Sequence, residues 1–305
     1  MNDKDDLARR FDEHRPHLRA VAYRMLGSLS DAEDAVQEAW FKLNRSDVGG
    51  VENLGGWLTT VVGRVCLDML RSRTTRREEP LDAGDGPVRL PDPVLSGPEG
   101  IDPEQEVLLA DSVGIALMVV LETLGPAERL AFVLHDTFAV PFEEIAPLVE
   151  KTPAATRQLA SRARRRVQHA APATDTDVTR LRQVVDAFLS AARGGDFEAL
   201  VSVLHPEITA RSDGGTLLPS SLRRGARETA SQAITFARFA KDARPVLVNG
   251  APGVIALDPD GRLLSVMAFT VRDGLITALD ILTDPERLAR LDLSGILGDR
   301  DSDTP

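Results

Sequence analysis

The chain has 305 residues, 43% of them hydrophobic, and carries 36 Lys and Arg against 47 Asp and Glu, a net charge of −11. That length allows two or three cores, and a single cysteine, Cys66, excludes an intramolecular disulfide and points to a reducing cytoplasm. No apolar run approaches the ~20 residues of a membrane span, and the charged start MNDKDDLARR does not read as a signal peptide, so a soluble cytoplasmic protein without membrane partners is expected.

Residues 5–26 read as a helix ending at Gly27. A second helix follows, with Ser30 as N-cap and Glu33 at N3, a capping box. Its apolar positions Ala32, Ala35, Val36, Ala39, Trp40 and Leu43 repeat as a buried stripe does. A third helix over 57–73 puts Leu58, Val61, Val62, Val65 and Met69 on one face and Thr60, Arg64, Leu67 and Arg71 opposite. Residues 1–77 thus form one all-helical domain. Residues 78–105 are rich in Pro, Gly and acids and read as a linker that does not fold alone. Most of the acidic excess lies here, with one arginine against eight acids over 81–111, a net −7.

Helices resume near Glu106–Thr123, Pro126–Asp136, Pro141–Val149 and Pro153–Gln168, a second all-helical domain over 106–170. The last two look like a helix-turn-helix. Thr152 caps the second, Pro153 suits N1, and Ala155, Leu159, Ala163 and Val167 make the inward seam. Glu150–Lys151 occupies the turn where a glycine often sits. Residues 175–291 read as an α+β domain: a helix near Val178–Arg193, a helical stretch Gly225–Lys241, and strands Val246–Val248, Val254–Leu257, Leu263–Arg272 and Leu275–Leu282 in a curved antiparallel sheet. Asp273–Gly274 is a two-residue hairpin signal. Residues 292–305 are a flexible tail.

The arginines are clustered, and local clusters rather than total charge govern attraction to phosphates. Arg157, Gln158, Ser161, Arg162, Arg164 and Arg165, grouped with Thr156, project from a helix that has five arginines and no acid between Thr152 and Gln168. Arg and Gln read base edges, and Arg and Ser hold phosphates. On the third helix, Trp57, Thr60, Arg64, Arg71 and Arg73 suit a phosphate-tracking face beside a single-strand pocket. The second helix is the opposite case: Asp31, Asp34, Gln37, Glu38 and Phe41 lie opposite its apolar stripe. Acids around an exposed phenylalanine suit a basic protein partner rather than DNA.

The stretches DAEDAVQEAWFKL, GGWLTTVVGRVCLDMLRSRTTRRE and LGPAERLAFVLHDTFAVPFEEIAPLVEKTPAATRQLASRARRRV resemble regions two and four of extracytoplasmic-function sigma factors of bacterial RNA polymerase. Residues 175–290 resemble a SnoaL-like, cone-shaped domain, an extension known in one subgroup of those factors. The resemblance implies that Asp31, Asp34, Gln37 and Glu38 dock on the polymerase clamp helices. It implies that Asn53, Trp57, Arg64 and Arg71 meet the opened minus-10 element, and that Arg157, Gln158, Ser161, Arg162 and Arg165 lie at the minus-35 element. It also implies contacts between linker and extension through three motifs, each altered here: Leu90, Pro91, Asp92 and Pro93 in RLPDP, Asp213, Gly214 and Gly215 in DGGT, and Asp284 and Pro285 in TDPERL. The basic turn Arg223–Arg224–Arg227 suits the acidic linker.

The expected function is that of a sigma factor regulated by its own extension, with no catalytic residue, metal or cofactor. A small ligand of the C-terminal pocket is left open. Two other readings stand beside it: a helix-turn-helix regulator with a ligand-sensing domain, and a SnoaL-like enzyme tethered to DNA. The candidate bases for the latter, His205, Asp213 and Asp280, form no convergent acid–base set in the sequence.

Overall fold

The chain starts with a long helix, α1 (Asp3–Leu26), which ends where Gly27 takes a left-handed φ of 66° and donates to Tyr23 O at 2.8 Å. The computed structural model describes residues 3–46, 51, 53–77, 89–97, 114–170, 177–238, 242–293 and 296. These fall into two compact units, one of residues 3–77 and 117–170, the other of 89–97, 114–116 and 177–296. The expected linker stretches 78–88 and 98–105, the helix start over 106–113 and most of the tail lie outside the described residues.

In the first unit α2 (Leu29–Arg45) and α3 (Leu54–Arg77) pack on α1. The cap of α2 is Ser28, not Ser30: Ser28 holds the extended backbone an N-cap requires and accepts from Asp31 N at 3.4 Å, while Ser30 is already helical. Glu33 instead pairs with Arg15 and Arg19 of α1. The predicted stripe is buried at Ala32, Ala35, Val36, Ala39 and Leu43, and Trp40 is half-buried against Phe11.

Four more helices follow, in this unit from Leu117 onward: α4 (Ile115–Glu122), α5 (Pro126–Phe132), α6 (Phe142–Leu148) and α7 (Pro153–Ala170), with a π-turn at Val133–Thr137. α3 is covered on two sides, by α1 and α2 and by α5 and α6. Leu67, expected on its polar face, is therefore fully buried. Periodicity read one apolar stripe; a helix gripped from both sides has no purely polar face.

The second unit is an α+β domain with a seven-stranded sheet in the order β1-β4-β5-β6-β7-β2-β3. The strands are β1 (Leu95–Ser96), β2 (Leu204–Asp213), β3 (Ser221–Arg224), β4 (Asp242–Val248), β5 (Ala251–Leu257), β6 (Leu263–Arg272) and β7 (Leu275–Leu282). All pairs are antiparallel except β2 with β7. Asn249–Gly250 and Asp273–Gly274 both take positive φ at each residue, the type I′ geometry whose twist suits adjacent strands.

Helices α8 (Val178–Gly194), α9 (Phe197–Val203) and α10 (Ala226–Ala237) cover one face, and burying Phe188, Leu200, Ile208 and Leu279 there contributes about 1.5–3 kcal/mol each. The other face packs Val248, Ile255, Val266 and Leu282 beneath Leu95 and Leu288, the latter from α11 (Pro285–Leu288). One part of the expected linker is thus not a free connector. Too polar to fold alone, residues 89–97 are ordered by lending β1 to an existing sheet edge.

Candidate nucleic-acid interface, polymerase face and linker contact

The α2 face carries the residues expected for a protein partner. Asp34, Gln37, Glu38 and Phe41 are exposed, Phe41 at 53%. Glu38 forms a one-turn pair with Lys42 at 3.3 Å, of little energetic weight at the surface. Asp31 differs. It is half-buried and ion-paired with Arg73 of α3, which also donates to Leu26 O, so these two expected site residues hold the helices together.

On α3, Asn53 Oδ1 accepts from Gly56 N at 2.9 Å and caps the helix start, and Thr60 donates to Trp57 O at 2.8 Å. Trp57 is half-buried. Arg64 donates to Leu148 O at 3.2 Å and lies 3.5 Å from Glu150, while Arg71 lies 3.8 Å from the same carboxylate. Glu150 has φ 56°, the left-handed turn conformation that glycine often supplies. An acid tolerates that backbone here and places its carboxylate against two arginines. Cys66, fully buried in α3, has its thiol pushed up to about 12 by burial, so it is an inert core residue.

α7 opens as the sequence implied: Thr152 Oγ1 accepts from Ala155 N at 3.2 Å, with Pro153 at N1. Its buried seam is Thr156, Leu159, Ala160 and Ala163, whereas Ala155 and Val167 are partly exposed. Thr156, grouped with the DNA-facing residues, is fully buried and donates to Thr152 O at 3.0 Å, so its hydroxyl faces the helix and not a duplex. Arg157, Gln158, Arg162 and Arg165 are exposed. Arg157 lies 5.2 Å over the Phe142 ring, Arg162 and Arg166 pair with Glu128 at 3.0 and 2.9 Å, and Arg164 pairs with Asp136 at 2.9 Å. Arg165 reaches Ser161 Oγ at 3.4 Å. The acids that tether this helix come from α5 and the π-turn and have no trace in α7's own sequence.

In the second unit the three altered motifs meet. Leu90 N donates to Asp213 Oδ2 at 2.8 Å, and Gly215 N donates to Asp213 Oδ1 at 3.0 Å. Gly215 has φ 67°, and a Cβ there would stand 2.2 Å from Asp284 Oδ2, so no side chain fits. Asp284 caps α11 by accepting from Glu286 N at 3.0 Å.

Arg287, which the sequence reading did not single out, joins the set. Its Nε donates to Asp92 at 2.7 Å, its Nη1 to Asp213 at 2.7 Å and its Nη2 to Leu90 O at 2.6 Å. Asn249 adds a further anchor, its Oδ1 accepting from Val94 N at 3.0 Å. The spacing of Arg287 after the Asp284 cap was the available signal for it.

The acids expected to meet the basic turn lie mostly outside the described residues. Among the described residues Arg223 faces Glu228, and Arg227 faces Glu198 and stacks on Phe197. Nearby, burial pushes the Asp280 carboxyl upward and Arg211 at 2.9 Å opposes this only in part. His205 Nδ1 accepts from Glu207 N.

Comparison with known proteins shows what this chain resembles. Residues 10–76 match the family model for Sigma-70 region 2, and residues 115–167 match that for Sigma-70, region 4. SigJ of Mycobacterium tuberculosis (strain ATCC 25618 / H37Rv), an ECF RNA polymerase sigma factor, is 39% identical across 91% of this chain and 91% of its own. The probable ECF RNA polymerase sigma factor SigI of the same strain is 35% identical across 97% of this chain and all of its own. The crystal structure of SigJ superposes with a TM-score of 0.73 at 34% identity, covering 95% of this chain and 99% of that one. Since these likenesses run through the helical unit and the α+β extension alike, the chain belongs to the ECF RNA polymerase sigma factors.

Proposed function

We propose that this chain binds core RNA polymerase through the exposed face of α2, reads promoter DNA through α3 and α7, and is regulated by its extension through residues 89–97. The observation that carries this reading is the opposed chemistry of the helices in one unit. α2 presents acids around an exposed Phe41, and α7 presents exposed arginines with no acid in its own sequence. Aromatics concentrate at protein interfaces, and arginines at phosphates and base edges. Run-off transcription with purified core polymerase tests it: promoter-specific transcripts that depend on the chain are expected, and their absence on every promoter tried would overturn it.

The polymerase face predicts a separable defect. Asp34→Arg with Glu38→Arg is expected to weaken binding to core polymerase while thermal unfolding stays within about 0.5 kcal/mol of wild type, because both side chains are exposed. Unchanged affinity in a titration would remove α2 from the interface.

The DNA face predicts the converse. Arg157→Ala is expected to cost about 1–3 kcal/mol of promoter affinity, concentrated on minus-35 sequences, with polymerase binding unaffected. If altering the minus-35 bases changes wild-type and variant output by the same factor, Arg157 touches only the phosphate backbone.

The extension is read as non-catalytic. Of the three candidate bases, Asp213 is committed to Leu90 and Arg287 and His205 to the backbone of Glu207, while Asp280 binds Arg211 through Oδ1 and keeps a buried Oδ2 without a hydrogen-bond partner among the described residues.

A further inference from the structure

Between the sheet and helices α8 and α10 lies a cavity of about 120 Å³. Its inner wall is apolar: Phe188 and Leu279 are buried at 2% exposure, and Met267 and Phe236 stand beside them. The space exists because the facing positions are small. Ala210 on β2 and Ala233 and Ala237 on α10 stand where a leucine at any one of them would fill it. Its volume approaches the roughly 150 Å³ of apolar cavities that bind benzene, and its open rim leaves room for a substituent on such a ring.

The rim has different chemistry. Arg193, Arg223 and Gln232 line the cavity and reach the surface, Arg193 and Gln232 exposed and the Arg223 side chain at 33% exposure. No Asp or Glu lines it, in a chain with 47 acids. Arg193 is braced by its bond to Ala243 O at 2.7 Å, and Arg223 by its bond to Ser221 Oγ at 2.9 Å. A guanidinium has five donors, so neither bond exhausts it. The acid partner of Arg223, Glu228, stands outside the lining at 3.6 Å and is exposed.

We infer that this cavity is a binding site for a small monocarboxylic acid with a ring-sized apolar body. The body is held among Phe188, Met267 and Leu279, and the carboxylate is met at the rim by Arg223 and Arg193. Burial of the body supplies affinity, and the charge-assisted bonds select acids over neutral molecules of the same shape. None of His205, Asp213 or Asp280 lines the cavity; Asp280 stands behind a third lining arginine, Arg211, which it binds at 2.9 Å.

The test uses the full-length chain and isothermal titration with phenylacetate, benzoate and hexanoate as probes, and phenylacetamide as the neutral counterpart. At least one acid is expected to bind, and roughly tenfold more tightly than the amide if phenylacetate is that acid. Arg223→Gln is expected to lower acid affinity by a similar factor. Because Arg223 is partly exposed, that variant is expected to melt with the wild type. Ala237→Leu, which fills the cavity from α10, is expected to abolish binding with circular dichroism unchanged.

No binding by any acid at millimolar concentration overturns the proposal, as does binding indifferent to Arg223→Gln. Equal affinity for phenylacetate and its amide shows a neutral apolar site and overturns it too. These readouts involve no polymerase, so their failure is distinct from a failure of the transcription reading.

Discussion

Arg129→Ala is expected to destabilise the helical unit by about 3–5 kcal/mol, read as a lower denaturant midpoint at unchanged slope. The Arg129 guanidinium is 2% exposed. It donates from Nη1 to Glu122 at 2.9 Å and from Nε and Nη2 to Arg24 O at 3.2 and 3.0 Å. It therefore ties α5 both to α4 and to the last turn of α1. Removing it leaves a carboxylate and a carbonyl unsatisfied and opens a side-chain-sized void. Glu122→Gln is the control: Glu122 is 24% exposed, the amide still accepts, and about 1 kcal/mol is expected. A cost near 1 kcal/mol for both variants would show that water replaces Arg129 easily and that it is not the tie between these helices.

The second large effect concerns the linker segment. Arg287→Ala is expected to cost about 3 kcal/mol locally, near the lower end for a buried pair because the Arg287 side chain keeps 17% exposure. Asp213, with a 4% exposed side chain, then holds a buried charge facing no cation from α11. Hydrogen exchange at Leu90 and Val94 is the direct readout, since both amides donate into this network. Faster exchange there, with the β5–β6 amides still protected, is the expected pattern.

If residues 89–97 carry regulation, Arg287→Ala and truncation from Thr283 both raise promoter output at matched polymerase occupancy. A joined segment meets its site at high effective concentration, so only a large loss of contact shifts the population, and Arg287→Ala removes three bonds to the segment and its anchor at once. Loosened exchange with unchanged output would leave the contact structural and the regulatory reading wrong.

Local chemistry made much of this protein legible. Helix starts and stops followed from caps and glycines, with the α2 cap displaced by two residues because two serines stood within reach of the same turn. The Asp-Gly hairpin, the Thr152–Pro153 opening of α7 and the exposed face of α2 all rest on interactions within a few residues, and short-range patterns record those. The three motifs around residues 90, 213 and 284 were legible as separate stretches by their resemblance to relatives. What joins them was not. Arg287 meets Asp92 and Asp213 across 195 and 74 residues of chain, and no periodicity encodes that distance.

The same holds for Leu67, buried because a second set of helices covers α3, and for Thr156, whose hydroxyl is spent on its own helix. The acids that tether the α7 arginines likewise lie 28 to 38 residues away. The sequence by itself determined most of the helices, the four strands from residue 246 onward and where charge concentrates, since those depend on neighbours along the chain; β1, β2, β3 and α9 were not read from it. Only the tertiary structure decided which faces are covered, which arginines are already paired and where small residues leave a cavity. Burial and pairing depend on groups brought close by folding, whose separation along the chain carries no local signal.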